Sequence, residues 1–277
     1  MKQISILGCG WLGLPLAKSL IGNGFSVHGS TTSPEKISVL ENIGIQAFQI
    51  EIGESQIKGE INLFLDNSEI LIIDIPPKLR NEGSENFVQK IQNLIPFIEK
   101  SAVEKVIFIS STSVYGDSAV SNFIVTEETK PNPITESGKQ LVATEILLQK
   151  NPNFKTTVLR FGGLIGEDRD PTRVLVGKKI IENPDLPINF IHQKDCIGII
   201  EKIIELGLNQ TETIPWDWQQ TFNVVNPFHP TRKHYYTQKA LELNLLLPEF
   251  DEKKLGTGKI VSSDKIENIL NYKFGSL

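Results

Sequence analysis

Cysteine is scarce in this chain. Two occur in 277 residues, Cys9 and Cys196, far apart in sequence, which excludes a disulfide framework and points to a reducing cytoplasm. Long hydrophobic runs are missing too, since none approaches the ~20 apolar residues that span a bilayer. No signal-peptide pattern is visible, because Met1-Lys2-Gln3 leads straight into a short apolar segment. Positive charge is not in excess. The net charge of −5 gives no support to nucleic-acid or anionic-membrane partners. His229 and His234 flank Pro230-Thr231-Arg232-Lys233 without the cysteine or carboxylate partners of a metal site. Internal repeats, heptads and low-complexity tracts are absent as well. These absences leave a cytoplasmic protein, monomer or homodimer, that handles a small-molecule substrate.

What is present is an ordinary globular composition, 39% hydrophobic over a length that supports one large domain or a domain with a lobe. The first thirty residues carry the sharpest pattern. Ile4, Ile6 and Leu7 read as a buried strand, Gly8-Cys9-Gly10-Trp11-Leu12-Gly13 follows at once, and residues 14–20 have helical spacing. A strand, a G-x-G-x-x-G turn and a helix form the fingerprint of a dinucleotide site. Gly8 permits the tight turn, Gly10 lets the backbone approach a pyrophosphate, and Gly13 allows close helix–strand packing. Cys9 within the turn reads as a small packing residue or a redox-sensitive thiol.

Further strands are expected at residues 25–28, 45–52, 69–75, 106–109 and 157–160, with helices at 34–43, 84–100 and 139–149. The run 69–75 is almost wholly apolar, as a buried parallel strand should be, and Ile75 and Pro76 at its end join the expected cofactor residues. Alternating strands and helices predict an α/β fold, a Rossmann-type doubly wound parallel sheet over residues 1–165. After Gly166 the elements shorten and proline-marked turns recur, among them Pro184, Pro187, Pro215 and Pro230. Residues 166–277 are therefore expected to form a smaller substrate lobe packed partly back on the core.

The end of the second strand bears on which dinucleotide is bound. An NAD site places a carboxylate there to hold the ribose 2′-hydroxyl. Ser30-Thr31-Thr32-Ser33 stands in its place, with no carboxylate before Glu35 and with Lys36 close behind. Hydroxyls donate to a 2′-phosphate that a carboxylate would repel, so NADP is favoured and NAD kept open. Ser33 also suits the N-cap of a helix starting at Pro34.

Residues Ser110-Ser111-Thr112-Ser113-Val114-Tyr115-Gly116 end a central strand, where doubly wound sheets bind ligands. "SSTSVYG" closely resembles the extended short-chain dehydrogenases/reductases, the sugar-nucleotide epimerase and dehydratase group. Residues 160–166 (RFGGLIG), 188–195 (INFIHQKD) and 221–225 (TFNVV) resemble later segments of the same family, so the resemblance spans nearly the whole chain. It implies that Ser111 is the catalytic hydroxyl that hydrogen-bonds the reacting oxygen, although a serine in such a turn can also satisfy its own backbone. Tyr115 would pack beside the cofactor or belong to the core. Arg160 would meet a substrate phosphate or form a strand-end ion pair. His192 would touch substrate or be a buried histidine bonded to backbone, with Asp195 as N-cap of a helix through residue 204.

One departure matters. The family places a Tyr-x-x-x-Lys pair on the helix near residues 131–145, the lysine lowering the pKa of a tyrosine that moves a proton. Matching Gly138 and Glu145 puts Ser137 at the tyrosine and Leu141 at the lysine. Sliding the register so that Lys139 serves as the lysine puts Thr135 at the tyrosine. Neither choice restores the pair, and an aliphatic hydroxyl is far less acidic than a phenol. The chain thus resembles an atypical branch, NAD(P)-binding and epimerase/dehydratase-like, acting on a small polar or sugar-derived substrate. A catalytically inactive NADP(H)-binding sensor is the alternative. The opening "GCGWLGLPLAKSL" also resembles the β-hydroxyacid dehydrogenases, whose helix-dominated second domain is hard to reconcile with the short elements after residue 166.

Overall fold

The computed structural model describes residues 2–77, 86–116, 123–175, 180–209, 216–254, 256 and 258–277. The first half runs β1 (Gln3–Leu7), α1 (Gly13–Gly22), β2 (Ser26–Thr31), α2 (Ile37–Glu41), β3 (Gln46–Gln49) and a hairpin of β4 (Glu51–Ile52) and β5 (Ile57–Lys58). Then come α3 (Ile61–Leu65), β6 (Ser68–Ile73), α4 (Phe87–Glu99), β7 (Lys105–Ser111), β8 (Phe123–Val125), α5 (Glu136–Gln149) and β9 (Lys155–Phe161). The remainder is β10 (Gly163–Ile165), α6 (Pro171–Leu175), β11 (Phe190–His192), α7 (Gln193–Leu208), β12 (Thr221–Val224), α8 (Arg232–Glu242), β13 (Lys259–Val261) and α9 (Asp264–Leu270).

Seven parallel strands form one sheet in the order β12-β9-β7-β6-β1-β2-β3. The chain builds outward from β1 in one direction, then returns to β6 on the other side. The switch point therefore lies between the carboxyl ends of β1 and β6, where such sheets leave a crevice. Both faces of the sheet are covered, which explains the unbroken apolar run of β6. Ile70 and Ile72 point to one face, with Leu16 and Leu20 of α1 and Ile199 and Ile203 of α7. Leu71 and Ile73 point to the other, with Ile91 and Leu94 of α4. From the second half, β12 pairs with β9 and closes one edge of the main sheet.

Several expected boundaries move. The strand expected over 45–52 splits, because β3 lies at the sheet edge and the chain turns away at Ile50 into the β4–β5 hairpin. That turn lets Ile50 and Ile52 bury against Ile61 and Phe64. The helix expected over 34–43 is a 3₁₀ turn at Pro34–Lys36 followed by α2. Helix α5 begins at Glu136, earlier than expected, because Thr135 Oγ1 accepts from Gly138 N–H and caps it. Residues 84 and 85 of the helix expected over 84–100, and Pro215, lie outside the described residues. Trp218 is buried and Trp216 stacks on Phe222, so both pack with the core.

Candidate functional site

At the switch point the glycine turn has the backbone its sequence requires. Gly8 has φ +107°, a left-handed conformation that side chains resist. A Cβ there would lie 2.4 Å from the Asp74 carbonyl oxygen, and one on Gly13 would lie 2.2 Å from the Gly8 carbonyl oxygen. Gly10 differs, because a Cβ there meets nothing within 4 Å. The loop thus packs tightly underneath and stays open above its second glycine, at the N-terminus of α1. That shape suits a dinucleotide's pyrophosphate, which needs backbone access and helix N–H donors.

The loop is held from several sides. Gly8 N–H donates to Ser30 Oγ at 2.9 Å, and Cys9 N–H to the Ser30 carbonyl at 2.7 Å. Trp11 is tied to the second half of the chain. Its Nε1–H donates to Asp168 Oδ1 at 2.8 Å, its carbonyl accepts from Gln193 Nε2 at 2.7 Å, and the Arg169 guanidinium lies 5.0 Å from its ring centroid. Leu12 is buried beneath the loop. Cys9 is buried too, and desolvation, followed by the nearby Asp74 charge, pushes its thiol up to about 12. Ile75 reaches the loop, its Cγ2 standing 3.1 Å from where a Gly8 Cβ would be, while Pro76 is exposed.

The hydroxyl cluster at the end of β2 divides into two pairs. Ser30 holds the glycine turn, and Thr31 Oγ1 accepts from Ser33 N–H at 3.1 Å. Thr32 is exposed and Ser33 half-buried, with Lys36 exposed beyond them. Ser33 occupies the N-cap position of the 3₁₀ turn, but its side chain makes no cap hydrogen bond. The expected capping role is therefore corrected. The short turn offers a single 3₁₀ register, and Thr31 already engages the Ser33 backbone.

Across the crevice, Ser111 ends β7 half-buried, its Oγ accepting from Ser113 N–H at 3.1 Å. The first turn of α5 lies directly against this segment, since a Cβ on Gly138 would stand 2.5 Å from the Ser113 carbonyl oxygen. Ser137, beside it, is half-buried, and Leu141 one turn on is buried in the core. Helix α5 contains no tyrosine.

Beneath Ser111 runs a buried polar chain. Ser110 Oγ donates to Glu145 Oε1 at 2.5 Å, and Glu145 pairs with Arg160, Nη2 to Oε2 at 2.7 Å. Arg160 Nη1 donates to Tyr115 Oη at 2.6 Å, and Tyr115 donates in turn to Asn223 Oδ1 at 2.9 Å. Burial raises the Tyr115 phenol above its ordinary value. Arg160 is 6% exposed with its guanidinium engaged by Glu145 and Tyr115. Sequence reasoning missed Glu145 as the partner of Arg160, which only the docking of α5 on β9 brings together. It also missed Lys259, whose Nζ donates to the Tyr115 carbonyl from β13.

At the start of α7 the expected cap is corrected. His192 is the N-cap, its Nδ1 accepting from Lys194 N–H at 3.1 Å. Asp195 lies within the first turn, buried, and accepts from Tyr272 Oη and Gly275 N–H, both at 3.0 Å. It tethers the C-terminal segment, and the helix runs on to Leu208. Among the described residues no group of three or more metal-ligating side chains occurs, and no helix is long and apolar enough to cross a membrane.

No family model matches the chain. Protein YeeZ of Escherichia coli K12 is 31% identical to it over 277 residues, covering 99% of this chain and 96% of YeeZ. The chain belongs to the YeeZ family. Solved structures show how widely the fold is shared. A putative NAD-dependent epimerase/dehydratase from Methylobacillus flagellatus superposes with a TM-score of 0.77 at 23% identity, covering 99% of this chain and 93% of that one. UDP-glucuronic acid 4-epimerase from Bacillus cereus, solved in complex with NAD, gives 0.77 at 16% identity, covering 99% and 94%. The chain shares its fold with these epimerase/dehydratase structures and with a short-chain dehydrogenase/reductase superfamily protein from Agrobacterium tumefaciens.

Proposed function

We propose that this chain binds a nicotinamide dinucleotide, NADP in preference to NAD, and acts as an epimerase/dehydratase-like oxidoreductase on a small polar or sugar-derived substrate. The observation that carries this reading is the glycine turn at the sheet's switch point, packed below and open above Gly10. Residues 10–13 and the α1 N-terminus would take the pyrophosphate. Thr32, Ser33 and Lys36 would face the ribose 2′-phosphate, Ser30 and Thr31 fixing the backbone beneath them, with Ile75 and Pro76 bordering the cofactor. When bound, the nicotinamide supplies hydride exchange. Residues 1–165 would carry the cofactor and 166–277 the substrate, in a cytoplasmic monomer or homodimer. The Bacillus cereus neighbour's NAD supports the cofactor class, and the absence of a carboxylate after β2 favours the phosphorylated form.

In this reading the Ser111 hydroxyl polarises the substrate's reacting oxygen from the end of β7. Tyr115 and Arg160, joined beneath it, hold the strand end in place. Ser137 and His192 stand as further polar groups bordering the substrate side. The second reading is an NADP(H)-binding sensor without turnover, favoured by an α5 that presents Ser137 and buried Leu141 where a proton-transferring pair would stand.

The test is NADPH turnover against a panel of carbonyl compounds and nucleotide sugars, for wild type and Ser111→Ala. The expected result is measurable wild-type turnover and a loss of about 10²-fold in the variant, the scale of a proton-positioning group. Equal rates would remove Ser111 from the mechanism. Dinucleotide binding without turnover on any substrate would decide for the sensor.

A further inference from the structure

Helix α1 begins without a side-chain cap and with no acidic residue in its first turn. Its negative partner comes instead from the neighbouring strand. Asp74 follows β6, its backbone N–H donating to the Leu7 carbonyl at 2.9 Å. Its carboxylate lies beside the Gly13 backbone, whose N–H works to lower its pKa. Oδ2 stands 3.2 Å from where a Gly13 Cβ would be, so the side chain fills the space that glycine leaves. A carboxylate thus already sits at the helix N-terminus toward which a pyrophosphate is drawn.

We propose that Asp74 is a proton-carrying member of the cofactor site: it stands beside the N-terminus of α1 and the glycine loop, and it takes up one proton from solvent when a dinucleotide's pyrophosphate settles over that loop. Two anions cannot share one helix N-terminus in a half-buried crevice without like-charge repulsion, and protonation of Asp74 removes it. The site is prepared for this, because burial pushes the Asp74 carboxyl up from 3.8 to about 7, against the lowering effect of the Gly13 N–H. The thiols near it do not compete. Cys9 in the loop is pushed up to about 12, and Cys196 on α7 is raised well above its ordinary value, mainly by burial. Asp195, next to Cys196, accepts at Oδ1 from Tyr272 and Gly275.

This inference rests on the dinucleotide reading, and one experiment separates the two. The intact protein is titrated calorimetrically at pH 8 in phosphate and in Tris, whose ionisation enthalpies differ, with NADPH and with NADH as a probe lacking the 2′-phosphate. The expected result for NADH is uptake of close to one proton, with affinity about tenfold higher at pH 6 than at pH 8, as linkage to a group near 7 requires. In Asp74→Asn, which is nearly isosteric, that uptake and pH dependence should vanish. NADH binding without proton uptake, or uptake that persists in Asp74→Asn, would overturn the Asp74 assignment alone. Absence of binding by either dinucleotide from pH 6 to pH 8 would instead overturn the reading on which it rests. Should the variant not fold, wild-type uptake still decides.

Discussion

Arg160 of β9 and Glu145 of α5 form an ion pair, Nη2 to Oε2 at 2.7 Å, with side chains only 8% and 4% exposed. A pair so deeply placed is stable only because its remaining groups are satisfied, here by Ser110 and Tyr115. It fastens α5, whose first turn borders Ser111, to β9 of the main sheet.

Breaking that pair from one side should be costly. Glu145→Ala leaves a buried guanidinium uncompensated and should lower unfolding stability by about 3–5 kcal/mol, read from the urea midpoint. Replacing both partners by methionine should recover most of the loss. A single-variant cost below about 1 kcal/mol would mean that the pair behaves as a surface one.

The glycines of the loop should separate fold from ligand. Gly8→Ala forces a side chain into φ +107° and against the Asp74 carbonyl, and should cost about 1–3 kcal/mol of stability from backbone strain alone. Gly10→Ala meets nothing within 4 Å, so its melting temperature should match wild type. Its NADPH affinity should nevertheless fall about tenfold or more, a change of about 1.4 kcal/mol. Equal affinity in Gly10→Ala would place the ligand elsewhere.

Stability should depend on pH through Asp74. Its carboxyl titrates near 3.8 when unfolded and near 7 when folded, so the native state holds a proton that the unfolded state has released. The protonated form favours the fold, and wild-type stability should fall as pH rises from about 4 to about 7, then level. In Asp74→Asn this contribution should be missing, so the variant's advantage over wild type should grow across the same window. Denaturation curves at pH 4, 5.5, 7 and 8 measure it, and a constant difference would contradict the burial of the carboxylate.

Both thiols should be inert in the native protein. Cys9 and Cys196 are buried and unpaired, with burial raising each thiol far above neutrality, and the thiolate is the reactive form. Ellman's reagent at pH 8 should find no rapidly reacting thiol, and both should react in denaturant. Rapid modification of the native protein would show that the loop around Cys9 opens.

The parts of this molecule that announce themselves in sequence are those set by local pattern. Ile70 to Ile73 read as a buried strand because both faces of the sheet demand apolar side chains, and Gly8 read as a turn because few residues accept its backbone. What stayed hidden depends on partners distant in sequence. Asp74 is an isolated acid at the end of an apolar strand until Gly13 is seen beside it. Glu145 looks like a surface helix residue until Arg160 faces it across 15 positions. At the start of α7, Asp195 has the composition of a cap, but His192 takes that position and the C-terminal segment claims the carboxylate. Tertiary contacts override the local rule at all three.

The central claim is that the glycine loop binds a dinucleotide, and calorimetric titration of NADPH into the intact protein at pH 7 tests it most directly. The account predicts one site with affinity near the micromolar range, tighter than for NADH. No measurable binding of either dinucleotide at millimolar concentration would contradict it.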